Sequence, residues 1–201
     1  MFTKRSPCSF CRHTHHRRRE LPERVLACYA TWGQCDSSIE IAAADGCNVI
    51  IWFAINIESH PSKSKPTISG PMPNLTCVAG VVGRIAGAGL KVHHLISVGG
   101  WNAPHPDDSV RPAAAWAAWR EWNSRAADPA LGFGGFDGID WDLEGDSHPE
   151  RPANRFSIHT LDLIGRVSQA RARPPQAAAR ACKPDGKLAR LCRREHRCIK
   201  Q

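Results

Sequence analysis

The residues best suited to acid–base chemistry lie in one short run, Phe136-Asp137-Gly138-Ile139-Asp140-Trp141-Asp142-Leu143-Glu144-Gly145. Successive side chains of a β-strand alternate faces, so Asp140, Asp142 and Glu144 share one face and Ile139, Trp141 and Leu143 the other. Covering helices would bury the apolar set. Three neighbouring carboxyl groups on one face of a buried strand repel one another when ionised, and burial adds to the cost of charge. A carboxyl held in that way stays protonated towards neutral pH and can donate its proton to a leaving oxygen. Two plainer readings fit the same residues. One is a solvated acidic strand edge, and the other is an oxygen-rich site for calcium or magnesium.

The elements that must position this run alternate along residues 24–170. The pattern predicts a first strand from Arg24 to Ala30 and a helix opened by Ser37 as N-cap with Glu40 three residues on. That helix stops at Gly46. Cys47 to Ile57 is almost continuously apolar and β-branched, as expected of a strand buried on both faces. A proline-rich loop follows, and Thr76 is placed to cap a second helix carrying Val78, Val81, Val82 and Ile85. Lys91 to Val98 reads as the third strand and runs into Gly99-Gly100. Pro112 to Ala127 reads as a helix, Leu131 to Gly135 as a glycine-rich turn, and Phe136 to Leu143 as the fourth strand. Asn154 to about Gln169 makes a last helix with Phe156, Leu163, Ile164 and Val167 on one side. Alternation of this kind predicts an α/β fold with a parallel sheet covered by helices.

A second segment, Leu95-Ile96-Ser97-Val98-Gly99-Gly100-Trp101-Asn102, closes the strand before the acidic run. Together the two segments resemble glycoside hydrolase family 18, the chitinases and their relatives. That family carries Ser-x-Gly-Gly at the end of its third barrel strand and Asp-x-x-Asp-x-Asp-x-Glu on its fourth. Cys28-Tyr29-Ala30-Thr31-Trp32 and the apolar second strand are similar to its first two strands. The resemblance implies a (β/α)8 barrel of TIM type with its site at the C-terminal ends of the strands. It also implies substrate-assisted retaining hydrolysis, in which the sugar's own N-acetyl group attacks the anomeric carbon. Glu144 would then protonate the glycosidic oxygen and later activate water. Asp142 would orient the acetamido group, and Asp140 would stand behind Asp142. Tyr29, Trp101, Asp137, Gly99 and Gly100 would line or shape the sugar site, with Asp137 and Gly138 at the start of the strand. The implied partner is chitin or another N-acetylglucosamine-containing glycan. The resemblance calls for no cofactor and no metal.

A barrel of this type takes about 250 residues, whereas residues 24–170 suffice for the first four βα units. In the family the second half supplies a Tyr and a Trp to the sugar site. This chain has a single Tyr, Tyr29, and its last Trp is Trp141. The expectation is a partial barrel flanked by basic tails at 1–23 and 171–201, the second low in complexity. Its open sheet edges invite self-association. Hydrolysis by such a chain would be weak. One alternative is a non-catalytic or vestigial carbohydrate-binding fragment, and another is nucleic-acid binding through the tails.

Charge bears on that last alternative. The net charge is +8, but residues 1–24 hold +5 and residues 166–201 hold +9, leaving −6 for the middle. The folded part therefore offers no dispersed basic groove, and a nucleic-acid partner is not expected there. No run approaches the roughly 18 to 20 apolar residues of a membrane span, so no membrane partner is expected. The basic N-terminus is followed by more basic residues, not by the apolar stretch of a secretory leader. Four of nine cysteines (Cys28, Cys35, Cys47, Cys77) fall within residues 24–170, and Asn74-Leu75-Thr76 is a glycosylation sequon. Neither feature assigns a compartment. Cys8 and Cys11 with His13, His15 and His16 match no standard zinc spacing. Trp116, Trp119 and Trp122 read as helix packing, and His93 and His94 as structural.

Overall fold

The computed structural model describes residues 21–172, apart from 31, 60–64, 107, 149, 151–153 and 156. Of the expected tails, residues 1–20 and 173–201 lie outside the described residues, as do the Cys8/Cys11 cluster and Phe156, while the last helix runs to Ala172, past the expected boundary at 170.

Four strands and four principal helices alternate as the sequence pattern predicts, with one short strand added. They are β1 (Ala27–Ala30), α1 (Ser37–Ala44), β2 (Val49–Glu58), β3 (Thr67–Ser69), α2 (Leu75–Gly87), β4 (His93–Gly100), α3 (Pro112–Ala126), β5 (Gly138–Leu143) and α4 (Ile158–Ala172). The main sheet has the order β1-β2-β4-β5, all parallel, while β3 pairs antiparallel with the far end of β2. This is an α/β fold built on a parallel sheet. The strand β3 stands where the sequence pattern predicts only a proline-rich loop. It forms because β2 runs on past its parallel neighbours and Asn56, Ile57 and Glu58 take Ser69, Ile68 and Thr67 as partners.

Two helix starts differ from the expected ones. Asp36, not Ser37, caps α1, its carboxylate accepting from Ser38 N at 2.9 Å. Glu40 is drawn away to α2, where it takes two hydrogen bonds from the Arg84 guanidinium, at 3.0 and 2.8 Å. The cap of α2 is Asn74, not Thr76: its Oδ1 accepts from Cys77 N at 3.2 Å. In both cases a nearby polar side chain with extended backbone stood one or two residues earlier and reached the free N–H first.

The core lies between the sheet and its helices. Ile50, Trp52, Ile96 and Val98 turn outwards to meet Val78, Val81, Ile85, Trp119 and Trp122, all buried. Each such aliphatic side chain contributes on the order of 1.5–3 kcal/mol by leaving water. Trp119 and Trp122 are buried in α3, and Trp122 stacks on Phe136 at 5.7 Å, so these tryptophans pack the fold as expected. His94 is buried too, accepting a hydrogen bond from Trp52 Nε1 at 3.2 Å. The opposite face of the sheet is different. There Val49, Ile51 and Leu95 form a small separate apolar cluster. Two disulfides, Cys28–Cys47 and Cys35–Cys77, pair the four cysteines of this region. The first ties β1 to the chain leading into β2, and the second ties the loop before α1 to the first turn of α2.

Candidate active site

Register across the sheet assembles the site. Ser97 lies beside Asp140 and Gly99 beside Asp142. Tyr29 sits beside Ile51, which in turn sits beside Leu95. Alternation then puts Tyr29, Ser97, Asp140 and Asp142 on the face away from the main core. Ile139, Trp141 and Leu143 turn the other way and pack against that core, as the alternation predicts.

Asp140 is the anchor. Its Oδ2 accepts a hydrogen bond from Tyr29 Oη and another from Ser97 Oγ, each at 3.0 Å. Tyr29 is half-exposed, yet its phenol pKa is pushed up to about 12, first by burial, then by the charge of Asp140 and the bond to it. Asp142 and Glu144 add smaller contributions in the same direction. The phenol therefore remains a neutral donor at any ordinary pH. Ser97 enters the sequence reading only through the Ser-x-Gly-Gly at the strand's end, and its hydroxyl's hold on Asp140 depends on a register that local sequence does not signal.

Asp142 is the perturbed carboxyl. Its pKa rises from the ordinary 3.8 to about 6. Burial is the largest cause, followed by the charge of Glu144, a hydrogen bond with Glu144, and the charge of Asp140. Asp142 thus keeps its proton to a higher pH than an ordinary carboxyl, while Asp140 is supplied with two neutral donors. A row of three carboxyls has been differentiated by its neighbours into unlike groups.

Glycines let the backbones close up. A Cβ on Gly99, whose φ is 113°, would collide with the carbonyl oxygen of Asp142. A Cβ on Gly100 would come within 2.7 Å of the Phe53 ring. The loop after β4 is also stitched to the end of β5. Asn102 N donates to Gly145 O at 3.1 Å, and His105 Nε2 donates to Glu144 O at 2.9 Å. Neither bond was foreseen from sequence. Trp101, at the C-terminal end of β4, is 56% exposed, and Trp32, after β1, is 60% exposed with its ring edge-on to Phe53 at 4.9 Å. Exposed indoles at this end of the sheet are available to stack on a ligand ring. Local sequence does not single out Trp32, because its exposure depends on how the loop after β1 leaves the sheet.

Asp137 is not brought to the cluster. It stands at the N-terminal end of β5, where its Oδ2 accepts from His94 N at 3.0 Å and its own N–H donates to His94 O at 2.7 Å. It clamps the starts of β4 and β5, several residues below Glu144. Among the described residues no group of three His, Cys, Asp or Glu is arranged to hold a metal ion. A cavity of about 160 Å³ between β1 and α1 shares only Tyr29 with the cluster, so the carboxyls lie outside it, on the sheet's own face. None of the helices among the described residues is long and apolar enough to cross a membrane. No protein-family model matches this chain, and no curated protein matches it.

Proposed function

We propose that this chain is part of the catalytic domain of a chitinase-like glycoside hydrolase of family 18, built on a (β/α)8 barrel of which β1, β2, β4 and β5 are the first four strands. The observation that carries the reading is the Asp142–Glu144 pair. A carboxyl lifted to about 6 by burial and by a neighbouring carboxyl is what an acid–base site working near neutral pH requires. The bland alternative, a solvated strand edge, supplies neither that burial nor the two donors fixed on Asp140.

In this reading Glu144 gives its proton to the glycosidic oxygen as the bond to the anomeric carbon breaks. The carbonyl oxygen of the substrate's N-acetyl group attacks that carbon from the opposite face and closes an oxazolinium ring. Asp142 accepts from the acetamido N–H and stabilises the developing positive charge. Water, deprotonated by Glu144, then opens the ring with retention. Asp140, fixed by Tyr29 and Ser97, keeps Asp142 turned towards Glu144. Gly99 and Gly100 permit the close approach of strands, and Trp101 offers a stacking surface. Chitin and related β-1,4-linked N-acetylglucosamine polymers are the substrate class, and cleavage of N-glycan cores uses the same groups.

The test is Glu144→Gln with a chromogenic chito-oligosaccharide. Removing the proton donor should cost on the order of 10²–10⁴ in kcat while chitin binding persists, and unchanged turnover refutes the assignment. A second reading, a carbohydrate-binding chain without turnover, draws on the exposed Trp32 and Trp101. It predicts retention on chitin beads with no sugar released by the unaltered chain.

A further inference from the structure

We propose that Asn74 is an N-glycosylation site, carrying its glycan on the rim from which α2 begins. The site is independent of the hydrolytic reading above. Asn74-Leu75-Thr76 is the sole Asn-x-Ser/Thr sequon in the sequence, since none of Asn48, Asn56, Asn102, Asn123 and Asn154 has Ser or Thr two residues on. A sequon by itself arises often by chance. Three structural facts raise this one above chance.

The acceptor is exposed and its reactive atom is unused. Asn74 and Thr76 are both exposed, at the end of the proline-rich segment from Pro71 to Pro73. Asn74 has extended backbone, with φ −65° and ψ 98°. Its side chain caps α2 through Oδ1, which accepts from Cys77 N. Among the described residues Nδ2 has no partner, and Nδ2 is the atom that takes the sugar. Glycosylation leaves the amide carbonyl intact, so a glycan on Asn74 is compatible with the cap. Folding therefore neither buries the modified group nor competes for it.

The paired cysteines beside the sequon fit an oxidising compartment. Cys77, three residues after Asn74, is joined to Cys35, and Cys28 is joined to Cys47. Disulfides form and persist in oxidising compartments, of which the endoplasmic reticulum is one and where N-linked glycans are added. The two features therefore agree on one environment, although they rest on unlike chemistry.

Position gives the site a consequence. The N-terminus of α2 lies at the end of the sheet where the parallel strands finish, the end that carries Asp142 and Glu144. A glycan there would extend from the same rim as the carboxyl cluster.

The co-reactant is an oligosaccharide carried on a polyisoprenyl diphosphate. In the transfer, Asn74 Nδ2 forms a bond to the anomeric carbon of the terminal N-acetylglucosamine. The bond from that carbon to the diphosphate oxygen breaks, the lipid diphosphate leaves with the electron pair, and the amide loses one proton to a base of the transferase. No oxidation or reduction takes place.

The experiment uses the full chain, expressed in yeast behind a cleavable secretion leader and read in whole-cell extract as well as medium. The expected result is one glycoform, collapsed by peptide N-glycosidase, with the glycopeptide spanning residue 74 identified by mass spectrometry. Asn74→Gln and Thr76→Ala should each abolish the shift, and Thr76→Ser should retain it. Thr76→Ala leaves the Asn74 cap in place, so loss of the glycan in that variant is not a folding effect. An unmodified chain with its leader removed overturns the proposal, as does a glycan that survives Thr76→Ala.

Discussion

Replacing Asp142 by Asn should stabilise the fold, and by an amount that grows with pH. The carboxyl's pKa rises from 3.8 to about 6 on folding, so the folded chain binds its proton more tightly than the unfolded one. Well below 3.8, at about pH 3, the group is protonated in both states and the variant differs little from the parent. As pH rises through 6 the folded state must give up a proton it holds well, and the parent loses stability relative to Asp142→Asn. At roughly 1.4 kcal/mol per tenfold change in the proton equilibrium, the ceiling is about 3 kcal/mol. Asp142 is only half-buried, so solvent screening reduces this to on the order of 1 kcal/mol. Urea unfolding of both proteins at about pH 3, 5, 6 and 7.5, followed by tryptophan fluorescence, measures the difference directly. It should be near zero at the first pH and reach its plateau by the last. A difference that is flat across the series, or a variant less stable at pH 7.5, would show that Asp142 is not destabilised by its neighbours. The acid–base reading would lose its main support with it.

Gly99→Ala should destabilise by about 2 kcal/mol or more, because φ of 113° and the Asp142 carbonyl both oppose a Cβ; a urea midpoint equal to the parent's would refute the close approach. Tyr29→Phe and Ser97→Ala should each cost on the order of 1 kcal/mol. Because both donate to Asp140 Oδ2, a double-mutant cycle should return a coupling above about 0.5 kcal/mol, and strict additivity would count against a shared anchor. Among the described residues β1 and β5 each pair along one side only, and unpaired edges recruit other strands. Light scattering should find the chain self-associated, and a monodisperse monomer would refute that expectation.

The acidic face was legible because alternation is a property of a single strand. Asp140, Asp142 and Glu144 share a face wherever that strand sits, and the apolar flank of Ile139, Trp141 and Leu143 says which face is covered. The parallel alternation of β1, α1, β2, α2, β4, α3, β5 and α4 was legible for a similar reason, since each element declares its own period. What the strand could not declare is who stands beside it. The donors that hold Asp140 lie 43 and 111 residues away, and only the register of four strands brings them together. The same holds for the choice of Asp142 as the perturbed carboxyl, which depends on burial and on charges from its own face. Four cysteines allow three pairings, and chain packing selected Cys28 with Cys47 and Cys35 with Cys77. Asp36 and Asn74 displaced the expected caps because reach and backbone geometry, not residue type alone, decide which oxygen meets a free N–H. Local periodicity thus determined which chemical groups face one way. The tertiary structure decided their partners, and through those partners that the Asp142 carboxyl is pushed up.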